Sequence, residues 1–315
     1  MFYNRATSVA SSVVTAVLFT VATGTSAGAS VTTIPWTQQT VFELAEDDSY
    51  VAEWMGPSSG WTIIGGSATR IYAGSAGVFE TDASGNIWVY NGTPYSWTEI
   101  GGPGAEFVEG GGHLYGLGPD SSYVAEWNGT PYSWTVIGGP AQYIDAGGRG
   151  LIATNPSTGS VYFYNGTPES WSYIGGPGAY FVVGSNAVFR VSTDSTTLDE
   201  WISGTTWTPI LDNGMYIDGV VAGAAGVFAA EVVPGVDDLY LKYSGVPALW
   251  TQIGHGKGQG FDSSDTPYPD VESRTSLYGF GSTADGVMTI GLYSGSDSTW
   301  TTIGGPADVL LAAGD

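Results

Sequence analysis

Short runs of alternating apolar and polar residues, separated by turns, recur along nearly the whole chain. In the segment 103–139 these runs are Ala105–Glu109, His113–Leu117, Tyr123–Trp127 and Trp134–Ile137. Runs rich in β-branched and aromatic residues, bounded by Gly, Pro, Asn and Asp, are typical of strands joined by tight turns. Nothing after the first thirty or so residues shows a sustained helical period. The segment therefore predicts a unit of four antiparallel strands.

This unit occurs seven times, each time with an aromatic residue, a short turn and the motif Trp-x-x-Ile, usually followed by Gly-Gly. Successive motif tryptophans are 36 or 37 residues apart in the first five copies, and the last two spacings are 43 and 50 residues. A fixed period in this range indicates an array of like units, and four antiparallel strands repeated radially form a β-propeller. The aromatic residues are Trp54, Tyr90, Trp127, Tyr164, Trp201, Tyr243 and Tyr293. The motif tryptophans are Trp61, Trp97, Trp134, Trp171, Trp207, Trp250 and Trp300.

The two ends of the chain predict how the ring closes. Pro306–Gly314 matches Pro140–Gly148, which begins a unit, whereas Val41–Trp54 matches Leu114–Trp127, which begins at a second strand. The C-terminal segment therefore supplies the first strand of the N-terminal blade, which removes the open edges of the ring. The prediction is an all-β, seven-bladed β-propeller of four-stranded antiparallel blades, closed by the C-terminal strand. In the alternative, Ile34–Thr37, with Trp36, is itself that innermost strand.

Residues 1–29 have the pattern of a secretory signal peptide. Arg5 supplies a positive charge, Val9–Thr23 an apolar stretch, and Ala27-Gly28-Ala29 a cleavage site of small residues. The stretch is too short and too rich in Ser, Thr and Ala for a membrane anchor. We therefore expect a secreted, extracellular protein without membrane insertion, in which residues 30–315 form a single propeller domain.

The composition narrows the chemistry. There is no cysteine, which rules out thiol nucleophiles and thiolate metal sites. The chain has thirty acidic and seven basic residues, and its net charge of −23 disfavours nucleic acid and anionic lipid as partners. Four acidic residues near one insertion form either a Ca²⁺ site or a solvated loop, and without a calcium-loop motif the solvated loop is favoured. They are Asp262, Asp265, Asp270 and Glu272.

With its Trp-Thr-x-Ile-Gly-Gly repeats, as in Trp97–Gly102 and Trp134–Gly139, the chain resembles the tectonin and tachylectin-like group of secreted β-propeller proteins. The resemblance covers roughly residues 34–315. It implies binding of glycans or glycoconjugates in shallow pockets between blades or at their edges. No sugar-binding motif of that group is reproduced residue by residue.

The motif tryptophans have two interpretations. An indole offers an apolar face and an N–H donor to a sugar, but a residue present in every blade is favoured as the wedge between blades. Residues found only in some blades are better candidates for a ligand site. Glu53, Glu126 and Glu200 each come directly before a tryptophan of the aromatic position, namely Trp54, Trp127 or Trp201. In one interpretation the carboxylate accepts hydrogen bonds from sugar hydroxyls while the indole stacks on the sugar ring. Alternatively, each glutamate is bonded to the backbone at a strand end.

Tyr95 and Tyr132 occupy one position of the Asn-Gly-Thr-Pro turns, where other blades carry Glu169 and Leu249. A position that varies within a repeating frame indicates a surface residue, which either contacts a ligand or simply tolerates change, and the second interpretation is slightly favoured. The sequence therefore predicts ligand contacts at Glu53, Trp54, Tyr95, Glu126, Trp127, Tyr132, Glu200 and Trp201, with Glu126, Trp127 and Tyr132 acting together.

Catalytic motifs are missing from the sequence: His113 and His255 lie in different units, and there is no nucleophile elbow, His-Glu-x-x-His or phosphate loop. The leading hypothesis is a non-enzymatic lectin with several shallow glycan sites and no cofactor. A protein-interaction scaffold, using a loop insertion at Asp265–Ser276 between first and second strands, is the alternative. A polysaccharide-active enzyme with paired carboxylates at the central channel is a third.

Overall fold

Seven four-stranded antiparallel sheets make up the computed structural model, which describes residues 41–234, 238–256, 268–273, 276–282, 288–295, 299–304 and 307–312. No helix occurs among these residues. Blades 1 to 4 contain β1 Val41–Ala45, β2 Val51–Trp54, β3 Trp61–Gly65, β4 Arg70–Gly74, β5 Gly77–Thr81, β6 Ile87–Tyr90, β7 Trp97–Gly101, β8 Glu106–Gly110, β9 His113–Leu117, β10 Val124–Trp127, β11 Trp134–Gly138, β12 Tyr143–Gly147, β13 Gly150–Thr154, β14 Val161–Tyr164 and β15 Trp171–Gly175. Blades 5 to 7 contain β16 Tyr180–Val183, β17 Val188–Val191, β18 Thr197–Ser203, β19 Thr206–Asp212, β20 Tyr216–Ala222, β21 Val227–Val232, β22 Asp238–Val246, β23 Leu249–Gly256, β24 Tyr268–Ser273, β25 Ser276–Ser282, β26 Met288–Tyr293 and β27 Trp300–Gly304; the last strand, β28 Ala307–Ala312, belongs to blade 1.

The ring closes as predicted from the two ends of the chain. Strand β28 pairs antiparallel with β1, with Leu311 opposite Phe42, and it is the first strand of blade 1. The first strands contact one another in a cycle, because β28 touches both β4 and β24. The predicted all-β, seven-bladed propeller is thus confirmed, and the first strand of blade 1 comes from the C-terminus. The alternative segment with Trp36 and the predicted signal peptide lie outside the described residues.

One prediction about blade 7 is wrong. The segment Asp265–Ser276 was expected to be a loop between first and second strands, but Tyr268–Ser273 forms β24, the first strand itself, with Glu272 opposite Leu277. Asp270 and Glu272 are therefore strand positions. Residues 257–267 precede β24 and lie, with Asp262 and Asp265, outside the described part of the chain.

Among the residues that the structure describes, the hydrophobic core is divided into seven clusters, and each is shared by two consecutive blades. Between blades 1 and 2, for example, Phe42 and Ile64 pack with Ile71 and Tyr90. The cluster between blades 3 and 4 combines Leu117 and Ile137 with residues of β12 to β14. Because each sheet buries both of its faces against neighbouring sheets, folding of one blade depends on the next.

The motif tryptophans fasten each blade to the preceding one. The indole N–H of Trp171 donates a hydrogen bond of 2.9 Å to the carbonyl oxygen of Ile137, the motif isoleucine of the blade before. A side chain on Gly138 would approach Nε1 of Trp171 to 2.8 Å, which explains why glycine follows this isoleucine. Five further tryptophans donate the equivalent bond: Trp61, Trp97, Trp134, Trp207 and Trp250.

The same isoleucine carbonyl also holds the turn between the third and fourth strands of the following blade. Ile137 O accepts a second hydrogen bond, of 2.8 Å, from the backbone N–H of Glu169, and Ile100 O accepts one of 2.8 Å from Tyr132. Equivalent bonds join Tyr95 to Ile64 and Ala248 to Ile210, so that Ala248, and not the expected Leu249, occupies this turn position in blade 6. One carbonyl thus positions both the tryptophan and the turn across a blade junction, by which we mean the contact between two consecutive blades.

Candidate functional site

The three glutamates of the Glu-Trp pairs lie at blade junctions and face a tyrosine of the following blade. Burial raises the pKa of Tyr90 to about 12, and the negative charge of Glu53 adds to the shift. Burial likewise raises the pKa of Tyr164 and Tyr243, helped by Glu126 and by Glu200. The alternation of Glu-Trp with Tyr blades therefore places a carboxylate opposite each of these phenols.

Each tryptophan of these pairs faces the opposite way, toward the preceding blade. Trp127 is only 7% exposed, and its ring lies edge-on to Phe79 of blade 2 with a centroid distance of 5.7 Å. Trp201 lies 5.2 Å from Phe163 and under the guanidinium group of Arg149. Trp54 packs against the cluster that contains Tyr278 and Ile290 of blade 7, and its ring lies 5.3 Å from that of Trp61. These contacts favour the packing interpretation over an open stacking face.

The expected constellation of Glu126, Trp127 and Tyr132 is not brought together. Successive residues of a strand point to opposite faces of the sheet. Glu126 therefore faces blade 4, whereas Trp127 packs on Phe79 of blade 2 and Tyr132 contacts Glu99 of blade 2. A glycan site that uses these three residues at once is incompatible with this geometry.

Glu53 differs from Glu126 in its surroundings. Glu53 is 8% exposed, and burial raises its pKa to about 7. Glu126 instead keeps contact with solvent, and its Oε1 lies 2.6 Å from Nδ1 of His113, whose ring stacks on Tyr115. Glu200 is half-buried, and burial raises its pKa. Of the three, Glu126 alone is paired with a histidine.

Tyr95 and Tyr132 are exposed, as their variable position in the turn predicts. Their side chains are 68% and 52% exposed, and both residues have a left-handed backbone, with φ of 63° and 57°. This conformation is unfavourable for a tyrosine, and the hydrogen bonds from their N–H groups to Ile64 and Ile100 fix it. Each ring is consequently held at the rim of the propeller, beside the outermost strand of the preceding blade.

Tyr132 has a partner that sequence reasoning missed. The carboxylate of Glu99 lies beside its hydroxyl, and this contact raises the pKa of Tyr132 to about 12. Glu99 is half-buried in β7, at the third position of Trp-Thr-Glu-Ile. Other blades carry Ile63, Val136 and Tyr173 at this position. The variation at this position marks Glu99 as unusual in the sequence. Its partner could not be predicted, because the contact joins a turn of one blade to a strand of another. We call Tyr132 with Glu99 the rim site.

A cavity of about 270 Å³ lies between blades 2 and 3 on the face opposite the rim site. Many polar groups that line this cavity are hydrogen-bonded to one another or to the adjoining turn. The hydroxyl of Thr69 lies 2.9 Å from that of Thr81, and Asp82 accepts hydrogen bonds from the backbone of Ser84 and Asn86. Arg70 and Glu106 complete the charged part of the lining. These bonds hold the second-to-third strand turn of blade 2 in place.

Within the described ranges, no group of three or more His, Asp or Glu side chains is arranged to hold a metal ion. The same residues contain no helix long and apolar enough to cross a membrane.

Buried carboxylates of the first strands accept hydrogen bonds from the backbone of the following blade. Oδ2 of Asp145 accepts the N–H of Val183 at 2.8 Å, and Oε2 of Glu106 accepts that of Ile144 at 2.9 Å.

No protein-family model matches the chain, and no curated protein matches it. Solved structures are similar in fold. Prp20p from Saccharomyces cerevisiae has a TM-score of 0.55 and 11% identity, covering 87% of this chain and 88% of its own. A virginiamycin B lyase from Staphylococcus aureus, solved with quinupristin, has a TM-score of 0.48 and 12% identity over 82% and 94%. The receptor kinase CR4 ectodomain from Physcomitrella patens gives 0.47 and 11% over 80% and 73%. At these identities the likeness shows the β-propeller fold alone.

Proposed function

We propose that the protein is a secreted glycan-binding β-propeller, and that the rim site is its best-formed ligand site. The observation that carries this proposal is the exposed ring of Tyr132, which the backbone bond to Ile100 holds beside the strand that carries Glu99. An exposed aromatic ring stacks on the C–H face of a sugar, and an adjacent carboxylate accepts hydrogen bonds from sugar hydroxyls. Both groups are already oriented before a ligand arrives, which lowers the entropic cost of binding.

Tyr95 provides a second, simpler platform at the junction of blades 1 and 2. Its ring lies beside the strand that carries Ile63, where the rim site has Glu99. Individually weak sites on one rigid ring gain avidity on a surface that carries repeated glycans. In this proposal the Glu-Trp pairs do not contact the glycan; they stabilise the blade junctions that position the rings of Tyr95 and Tyr132.

Replacing Tyr132 with alanine is expected to weaken binding of array-identified glycans by roughly fivefold, the equivalent of one lost stacking contact. Glu169→Ala is the matched control, because Glu169 occupies the same turn position with the same left-handed backbone, φ 63°, but carries no ring. Both variants should unfold at similar temperatures. The absence of any binding across a broad glycan array, with and without calcium, would contradict the proposal.

An extracellular protein-interaction scaffold is the second candidate. It is favoured by the exposed apolar side chain of Ile63, on the strand beside Tyr95, since exposed apolar surface is common at protein interfaces. A protein partner captured from the host's extracellular fraction, and lost in Ile63→Ser with glycan binding unchanged, would support this role instead.

A further inference from the structure

The basic side chains of the described chain are directed away from the rim site. The guanidinium of Arg149 lies over Phe163 and Trp201, and that of Arg190 pairs with Asp199 and lies over Trp207. The ammonium of Lys242 lies over Phe228 in blade 6, and Arg70 lines the cavity on the opposite face. Tyr132 and Glu99 therefore present an aromatic ring and a carboxylate on a protein of net charge −23.

Four blade junctions share the turn geometry of the rim site but differ in their side chains. The turn residue and the facing strand residue are Tyr95 with Ile63, Tyr132 with Glu99, Glu169 with Val136, and Ala248 with Pro209. Only the second of these pairs combines a tyrosine ring with a carboxylate. The other three junctions serve as natural comparisons within the same chain.

An aromatic ring beside a carboxylate favours one class of sugar. A protonated amine is attracted both to the carboxylate and to the face of the ring, whereas a uronic or sialic acid is repelled by the carboxylate. The negative field of the whole protein adds to this selection, because it raises the local concentration of cations and their association rate. Stacking on the tyrosine ring requires the flat face of a sugar, so an amino sugar is favoured over a simple amine that has no sugar ring.

We propose that the rim site binds amino sugars with a free, protonated amine, as found in glucosamine polymers, in preference to neutral or acidic glycans. This inference rests on the proposed glycan-binding function and specifies its ligand class. Glu99 is the specificity-determining residue and Tyr132 the stacking platform. Since Tyr95 and Glu169 occupy the neighbouring junctions, a linear polymer along the rim can contact more than one of them.

The test is calorimetric titration of the full mature protein with three tetrasaccharides: glucosamine, N-acetylglucosamine and glucose tetramers. The titrations are run at about pH 6, below the ordinary pKa of an amine. We expect the glucosamine tetramer to bind roughly fivefold more tightly than the other two, which is the scale of one exposed ion pair. High salt should remove the difference, because it screens exposed charges.

Two variants locate the preference. Glu99→Gln should abolish it, so that the glucosamine tetramer no longer binds more tightly than the glucose tetramer, and Ile63→Glu, which places a carboxylate opposite Tyr95, should increase affinity for the glucosamine tetramer. Equal affinity for all three tetramers would overturn the inference and leave the proposed function standing. Loss of all glycan binding would contradict both. Oligolysine is the charge control: if it binds as well as the glucosamine tetramer, and Tyr132→Ala weakens neither, the attraction is general and the inference is wrong.

Discussion

The free energy of unfolding is expected to increase by several kcal/mol when the pH is lowered from about 8 to about 5. Burial raises the pKa of four carboxyl groups to about 7: Glu43, Glu53, Glu80 and Asp145. The ordinary values are 4.5 for Glu and 3.8 for Asp. Most acidic proteins are expected to lose stability in acid through their paired carboxylates, so this direction is distinctive.

The direction follows from proton uptake. Below about pH 3 these groups carry a proton in both the folded and the unfolded chain, so they contribute no pH dependence there. Between the unfolded pKa and about 7, the unfolded chain ionises while the folded chain keeps its protons, so the folded state is destabilised as the pH rises. Above about 8 both states are ionised and the loss is complete. Each of these groups contributes at most about 2–3 kcal/mol to this change, and relaxation around the charged form lowers the sum.

Urea unfolding at pH 5, 6, 7 and 8 measures the effect, and Glu53→Gln identifies its source. Glutamine resembles the protonated carboxyl, so this variant should be more stable than the wild type at pH 8 and should show a flatter pH profile. Asp120→Asn is the control, since Asp120 is an exposed turn residue whose pKa is lowered by its bonds to Ser122. Repeating the series in high salt separates buried groups from surface repulsion, which salt screens. A profile that rises toward pH 8 would contradict the prediction.

Much of the fold was predictable because each copy of the repeat carries its own turn residues, which mark where the strands begin and end. Each strand of the segment 103–139 was placed to within one residue, since Gly, Pro and Asn mark the turns. The C-terminal strand was recognisable because Pro306–Gly314 repeats the sequence of Pro140–Gly148. Blade 7 was harder to interpret. The longer spacing before Trp300 was assigned to the wrong side of Tyr268–Ser273, a short strand rich in acidic residues.

The candidate site was less predictable because it is formed by two blades. Glu126 and Trp127 are adjacent in sequence but point to opposite faces, so their partners are Tyr164 and Phe79, in different blades. Tyr132 was correctly expected at the surface, whereas its partner Glu99 lies 33 positions earlier, on the neighbouring blade. Periodicity identifies which positions are equivalent, but only the docking of one sheet on another shows which of them meet.

The interblade tryptophan bond should have a measurable cost that differs between two blades. Trp171→Ala is expected to destabilise the protein by about 3–5 kcal/mol, because it removes a large packed ring and a hydrogen bond. The substitution Trp171→Phe isolates the bond more closely and should cost about 1–2 kcal/mol. Chemical unfolding, followed by circular dichroism because tryptophan is being removed, measures both.

Trp300 is the matched control for the hydrogen bond. Its ring packs against Tyr293 at 5.2 Å, much as Trp171 packs against Tyr164 at 5.0 Å. Its buried Nε1, however, has no acceptor among the described residues, whereas Nε1 of Trp171 donates to Ile137. Trp300→Phe removes an unsatisfied donor and should therefore cost less than Trp171→Phe, or even stabilise the protein. If the two phenylalanine variants lose equal stability, packing alone holds the blades together, and the carbonyl of Ile137 is not the anchor that its two hydrogen bonds indicate.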